Sequence, residues 1–190
     1  MKARSVAVLI VALFATAGAA GLLVVSQSPA LAPWTLDPNR PAVTLEDVEQ
    51  EVIRRYQVPD IVTATLADQI ASARVLLFDV RTKEEYDAGH LEGAIQVDPG
   101  EATDAFVARY SPLMKDRSVV FYCSVGVRSS QFLQRVRPLL NASPRSAYNL
   151  RGGAFRWVSE GRTLVAASGP ARLHPFDDNW AKLLARTLQK

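Results

Sequence analysis

The stretch SVVFYCSVGVRSSQFLQRV, residues 118–136, changes its hydrophobic period partway along. Residues 118–122 are a short continuous apolar run, the pattern of a strand covered on both faces, whereas Phe132, Leu133, Val136 and Leu140 recur at helical spacing. The segment between them, Cys123-Ser124-Val125-Gly126-Val127-Arg128-Ser129, is therefore a strand-loop-helix junction. The alternation continues in both directions. Upstream, Thr44 and Asp47 form a capping pair for a helix carrying Leu45, Val48, Val52 and Tyr56, which Pro59 ends; Thr65 with Asp68 opens a shorter one through Leu66 and Ile70. Residues 75–78 are a second apolar strand, followed by a polar helix over 84–88 closed by Gly89 and a short strand over 94–97. Ala102, Ala105, Phe106 and Tyr110 then share a helix face. Downstream come a short strand over 147–150, a helix from Gly153, and a last helix begun by Asp177 or Asp178, with Leu183, Leu184 and Leu188 as its stripe and Trp180 beside it. Such alternation predicts an α/β domain with a central, mostly parallel sheet flanked by helices on both faces, and places a site at the C-terminal ends of the strands.

Composition narrows the function. With 190 residues, 48% hydrophobic and 22% charged, the chain fits one folded domain plus an appendage and excludes disorder. One Cys and two His exclude a disulfide scaffold and leave little for a metal centre, so neither metal nor cofactor is expected. The net charge of +3 drops to +1 once Lys2 and Arg4 are set aside, which is no nucleic-acid footprint.

The chemistry concentrates in the junction. A lone Cys is usually a small buried hydrophobe, but the neighbours of Cys123 argue otherwise. Gly126 lets the loop turn tightly so that successive N–H groups point inward as an anion nest; a helix N-terminus follows, and Arg128 offers a planar cationic fork. Each favours a thiolate, and an anionic substrate would be held by the same groups.

The loop CSVGVRS, with DVRTKEEYDAGHLEGA at residues 79–94, resembles the rhodanese (sulfurtransferase) family, in which an Asp-Val-Arg stretch ends one strand and a Cys-x-x-Gly-x-Arg-Ser loop follows another. The resemblance covers about residues 43–165, and NLRGGAFRW and HPFDDNW are similar to segments of single-domain members. It implies a rhodanese-like fold and transfer of a sulfane sulfur from thiosulfate or a similar small anionic donor to a thiol or cyanide. Cys123 would be nucleophile and persulfide carrier; the amides of Ser124, Val125, Gly126, Val127, Arg128 and Ser129 would stabilise the terminal sulfur, and Arg128 would orient the donor. Asp79 and Arg81 would stand near the site in a supporting role, with Arg81 pairing to Glu85 to brace a turn. His90, His174 and Arg151-Gly152-Gly153 read as scaffold, and Glu49, Glu51, Arg54 and Arg55 as a solvated helix face.

Related cell-cycle phosphatases have a five-residue spacing between Cys and Arg; this loop has four, Ser124 to Val127, which suits sulfur better than phosphate or arsenate. The loop also holds no acid for a leaving oxygen, and the chain lacks a resolving Cys for thiol-coupled arsenate reduction. The competing reading of a different class is a persulfide carrier or protein-binding module, delivering to a protein acceptor without small-molecule turnover.

Residues 1–26 read as a signal peptide or membrane anchor: behind Lys2 and Arg4 runs an uncharged stretch from Ser5 to Val25, long enough at roughly 1.5 Å per residue for a hydrocarbon core of about 30 Å. Cleavage after Ala17 or Ala32 is the alternative to an anchor; the length, and Pro33 directly after Ala32, favour the anchor. Either exports the rest to the periplasmic or extracytoplasmic side. Residues 27–43, with Pro29, Pro33, Pro38 and Pro41, read as a tether in which Trp34 fits either the membrane interface or packing on the domain. The domain then occupies 44–190, with its last helix over about 177–188. In an oxidising exterior a solvent-exposed Cys123 would be open to sulfenic and sulfinic oxidation.

Overall fold

The protein is described by a computed structural model over residues 34–140 and 146–189; the expected signal or anchor segment and residues 27–33 lie outside the described residues. Its elements run α1 (Leu45–Tyr56), β1 (Asp60–Ile61), α2 (Thr63–Ala71), β2 (Val75–Asp79), α3 (Lys83–Ala88), β3 (Ile95–Gln96), α4 (Thr103–Met114), β4 (Ser118–Tyr122), α5 (Val127–Val136), β5 (Ser146–Leu150), α6 (Gly153–Ser159) and α7 (Asp178–Leu188). The strands form one parallel sheet in the order β1-β5-β4-β2-β3, as the alternation predicts.

The two apolar strands, β2 and β4, sit at the centre because both their faces are covered. Val119 and Phe121 of β4 join Leu76 and Phe78 of β2 against Phe106 of α4 and Phe132 of α5. The alternate residues, Val120, Tyr122 and Leu77, face Leu66 of α2 and Ala154 and Trp157 of α6. A period-2 backbone thus divides one continuous apolar run between two helical layers. A third cluster joins Val48 and Val52 of α1, Phe155 of α6 and Leu183 and Leu184 of α7, and it includes Val125 of the junction loop. That cluster carries the C-terminal segment to the loop.

Several elements depart from the sequence reading. Helix α2 begins at Thr63 behind Val62 rather than at a Thr65/Asp68 cap, because the Thr63 hydroxyl is bonded to Glu160 and Leu66 is buried in the core. Strand β1 is only Asp60–Ile61, too short to show a period, and exists through pairing with β5. Glu49 and Glu51 are not a solvated face: both are buried, Glu49 bonded to Arg156 of α6, and Glu51 to Arg54 and Arg55. Residues 34–43 of the expected tether lie on the domain. Trp34, Leu36 and Val43 pack on the third cluster, the Arg186 guanidinium donates to the carbonyls of Pro38, Arg40 and Val43, and Arg55 stands over the Trp34 ring. Trp34 therefore takes the packing role. Among the described residues no helix is long and apolar enough to cross a membrane.

Candidate active site at the C-terminal end of the central strand

Strand β4 ends at Tyr122, whose carbonyl still accepts from Val80, and the chain then leaves the sheet at Cys123. Gly126 makes the turn possible with φ of 97°, and its N–H donates to Cys123 Sγ at 3.2 Å. Helix α5 starts at the next residue, so Cys123 lies beneath its N-terminus. The loop is also gripped from the first turn of α6, where the N–H groups of Ala154 and Phe155 donate to the carbonyls of Cys123 and Ser124, each at 2.9 Å. Only glycine fits beside that grip, since a Cβ on Gly153 would run into both carbonyls, coming within 2.7 Å of that of Ser124.

Cys123 is 1% exposed, not open to solvent as expected, and it floors a cavity of about 150 Å³. Ser124, Val125, Val127 and Arg128 line the walls, and Phe176 and Trp180 of the C-terminal segment lie across them. Ser129 is fully buried, with its hydroxyl turned away to donate to Asn149 Oδ1, while Asn149 Nδ2 donates to Asp60. Its side chain braces the first turn of α5 against the sheet.

Arg128 is not waiting alone for an anion. Its Nη1 and Nη2 each donate to Glu85 at 2.7 Å, and the Ser124 hydroxyl donates to the same carboxylate at 3.0 Å while accepting from Nη2. Burial opposes a charged Glu85, but the Arg128 bonds and charge, with the Thr82 N–H and the Ser124 hydroxyl, outweigh it and hold its pKa below the usual value. Burial likewise opposes a charged Arg128; the Glu85 bond and the facing Cys123 and Glu85 charges overcome it and raise the guanidinium pKa. A carboxylate held ionised in this way is a poor proton donor. The expected Arg81–Glu85 pair is thus replaced: Glu85 takes Arg128, and Arg81 takes Asp79 at 2.6 Å, both fully buried, while also donating to the Gly89 carbonyl. Asp79 and Arg81 do not line the cavity; they fix the end of α3, the helix that presents Glu85.

Glu85 was missed as a site residue although its local signal is plain. Thr82 and Glu85 form a capping box at the start of α3, which names Glu85 as the inward-facing third residue of the helix but not its partner in α5. His90 is scaffold as expected, stacked on Tyr86 with ring centroids 3.7 Å apart. His174 is less bland, since its Nδ1 accepts the N–H of Phe176 at 3.1 Å.

The Glu85 pair makes the loop acid-sensitive. Its folded pKa lies below the usual 4.5, so its contribution to stability is complete above that value and is lost as pH falls through the depressed folded value. Thermal melting from about pH 6 to about pH 3 is expected to fall less steeply for Glu85→Gln than for wild type. Equal slopes would remove Glu85 from the acid response.

Comparison with known proteins places this geometry. The model of the rhodanese-like domain matches residues 62–160, which include β2, α3 and the whole Cys123 loop. A sulfurtransferase of Allochromatium vinosum is 34% identical over 113 residues, covering 59% of this chain and 99% of that protein. The thiosulfate:glutathione sulfurtransferase of Homo sapiens is 33% identical over 112 residues, 54% of this chain and 95% of the relative. The crystal structure of thiosulfate sulfurtransferase from Pseudomonas aeruginosa shares the fold at 21% identity and a TM-score of 0.52, over 75% of this chain and 26% of that one.

Proposed function

The chain belongs to the rhodanese-like domain family, and from that premise we propose that it is a sulfurtransferase moving a sulfane sulfur from thiosulfate or a similar donor to a thiol or cyanide through a persulfide on Cys123. The observation that carries this reading is the placement of Cys123 Sγ on the cavity floor, under the N-terminus of α5 and within reach of the Gly126 N–H. Two of its relatives are named sulfurtransferases.

The chemistry follows from that placement. The Cys123 thiolate attacks the outer sulfur of the donor; the donor's S–S bond breaks, sulfite leaves with the bonding pair, and the terminal persulfide sulfur takes the negative charge. Backbone N–H groups of the loop and the positive end of α5 stabilise that charge. The Arg128–Glu85 pair holds the loop in shape and gives Arg128 a fixed direction toward the sulfur. A nearby base is unnecessary because a thiolate is already nucleophilic.

The membrane and export reading rests on residues 1–26, the uncharged run Ser5 to Val25 behind Lys2 and Arg4, and joins the proposal as an extracytoplasmic, membrane-held domain. Incubating the protein with thiosulfate and recording intact mass should give a gain of one sulfur atom that reductant reverses. Multiple turnover with cyanide or a small thiol is expected next. Failure to gain sulfur from any sulfane donor would overturn the reading, and single loading with delivery only to a protein would make it a carrier. Protease added to spheroplasts, with any outer membrane opened and the inner membrane intact, should digest the domain; protection there, with digestion only after lysis, would reverse the orientation.

A further inference from the structure

The outer wall of the Cys123 cavity comes from the C-terminal segment, which lies beyond the 62–160 match to the family model. Phe176 takes φ of 76°, a left-handed conformation that a bulky residue rarely adopts, and its N–H is held by His174 Nδ1. The backbone twist sets the ring over the Arg128 guanidinium, with its carbon 4.7 Å from the ring centroid, although the side chain remains 48% exposed. An aromatic ring kept half in water, on an unfavourable backbone, beside the reactive sulfur calls for a reason. Trp180, in the first turn of α7, completes the wall.

Charge points the same way. Glu85 already matches Arg128 with two bonds, so the cavity offers an incoming group no net positive side chain. Val125, Val127, Phe176 and Trp180 leave it mostly apolar. The loop N–H groups and the α5 N-terminus face the transferred sulfur, so the further carboxylates of an acceptor find no side-chain cation to pair with along this wall, while an apolar acceptor gains contact with the rings.

Resting on the sulfurtransferase reading, we propose that Phe176 and Trp180 form the acceptor-selecting wall of the site, favouring thiols that carry a small apolar or aromatic group over thiols that carry carboxylates. The acceptor thiolate attacks the terminal sulfur of the Cys123 persulfide. A new S–S bond forms to the acceptor, the bond to Cys123 Sγ breaks with its electron pair left on Cys123 as thiolate, and the product leaves as the persulfide anion with no proton transferred. The transfer is internally balanced and needs no oxidant.

The full chain is loaded with sulfur, freed of donor, and mixed with benzyl mercaptan or mercaptosuccinate at equal thiolate concentration. Wild type is expected to discharge about tenfold or more faster to benzyl mercaptan. Phe176→Ala and Trp180→Ala should bring that ratio toward one, and because the Phe176 ring is half exposed its variant should melt like wild type. A second readout needs no sulfur chemistry: alkylation of Cys123 by 2-bromoacetophenone against bromoacetate, each normalised to free cysteine, should show the same preference and the same loss. A wild-type preference for the anionic partner, or a ratio that Phe176→Ala leaves unchanged, overturns the proposal. Absence of sulfur loading in wild type sinks the sulfurtransferase reading instead, and the alkylation ratio still decides for or against the aromatic wall.

Discussion

Replacing Cys123 by Ser is expected to abolish sulfur uptake while leaving the domain folded. The hydroxyl is too weak a nucleophile without a base to activate it, and the carboxylate nearest the loop, Glu85, is tied by both oxygens to Arg128. Structural cost is small because the serine oxygen can accept from Gly126 as the sulfur does, and the Cys123 carbonyl keeps its bond from Ala154. Melting should shift by no more than about 5 °C, while intact mass shows no added sulfur at any thiosulfate concentration. Uptake at the wild-type rate would remove Cys123 from the reaction. Arg128→Ala is a less clean probe than the sequence alone suggests: it strands Glu85 buried and without its cation, so lost activity would mix loss of a donor-orienting charge with collapse of the loop. Arg128→Lys keeps the charge and loses the two-pronged fit, and comparing it with Arg128→Ala separates those effects.

The sheet was legible because burial on two faces leaves a mark in the chain. β2 and β4 are apolar without interruption, and the observed bounds of β4 coincide with the expected strand. Elements without such a mark were lost or shifted: β1 has too few residues for any period, and the start of α2 is set by a bond from Thr63 to Glu160, a residue far along the chain. The same division runs through the site. Cys123, Gly126 and Arg128 were readable because a strand, a turn and a helix meet there within a few residues. Glu85 and Asn149 were not, since each acts through a partner that only the fold supplies, Arg128 for one and Ser129 for the other. Charge pattern also misled locally. Glu49 and Glu51 look like solvent-facing acids on a helix, yet Glu49 is bonded to Arg156, and Arg55 folds its own stem down beside Glu51. A polar residue on an amphipathic helix reveals its face only when its partner is known.

Asp79→Ala is expected to cost about 3–5 kcal/mol of stability, because it leaves a buried guanidinium without its counter-charge. Asp79 and Arg81 are both fully buried, and one carboxylate accepts the Arg81 backbone N–H as well as its side chain. Asp79, after the still larger cost of burial, also keeps the fully buried Tyr122 phenol protonated, its pKa pushed well above the usual range. At roughly 2–4 °C per kcal/mol for a domain of this size, melting should fall by roughly 6–20 °C. The effect should reach the reaction although neither residue touches the cavity. Arg81 donates to the Gly89 carbonyl at the end of α3, and α3 presents the carboxylate that positions Arg128. The double change Asp79→Ala with Arg81→Met discriminates: with no stranded charge it should recover at least half of the lost stability, yet sulfur uptake should stay slow because Gly89 has lost its donor. Recovery of both together would mean that the pair matters for stability alone. A single-variant loss below about 1 kcal/mol would show that water reaches Arg81 and that the buried pair does not hold α3 in place.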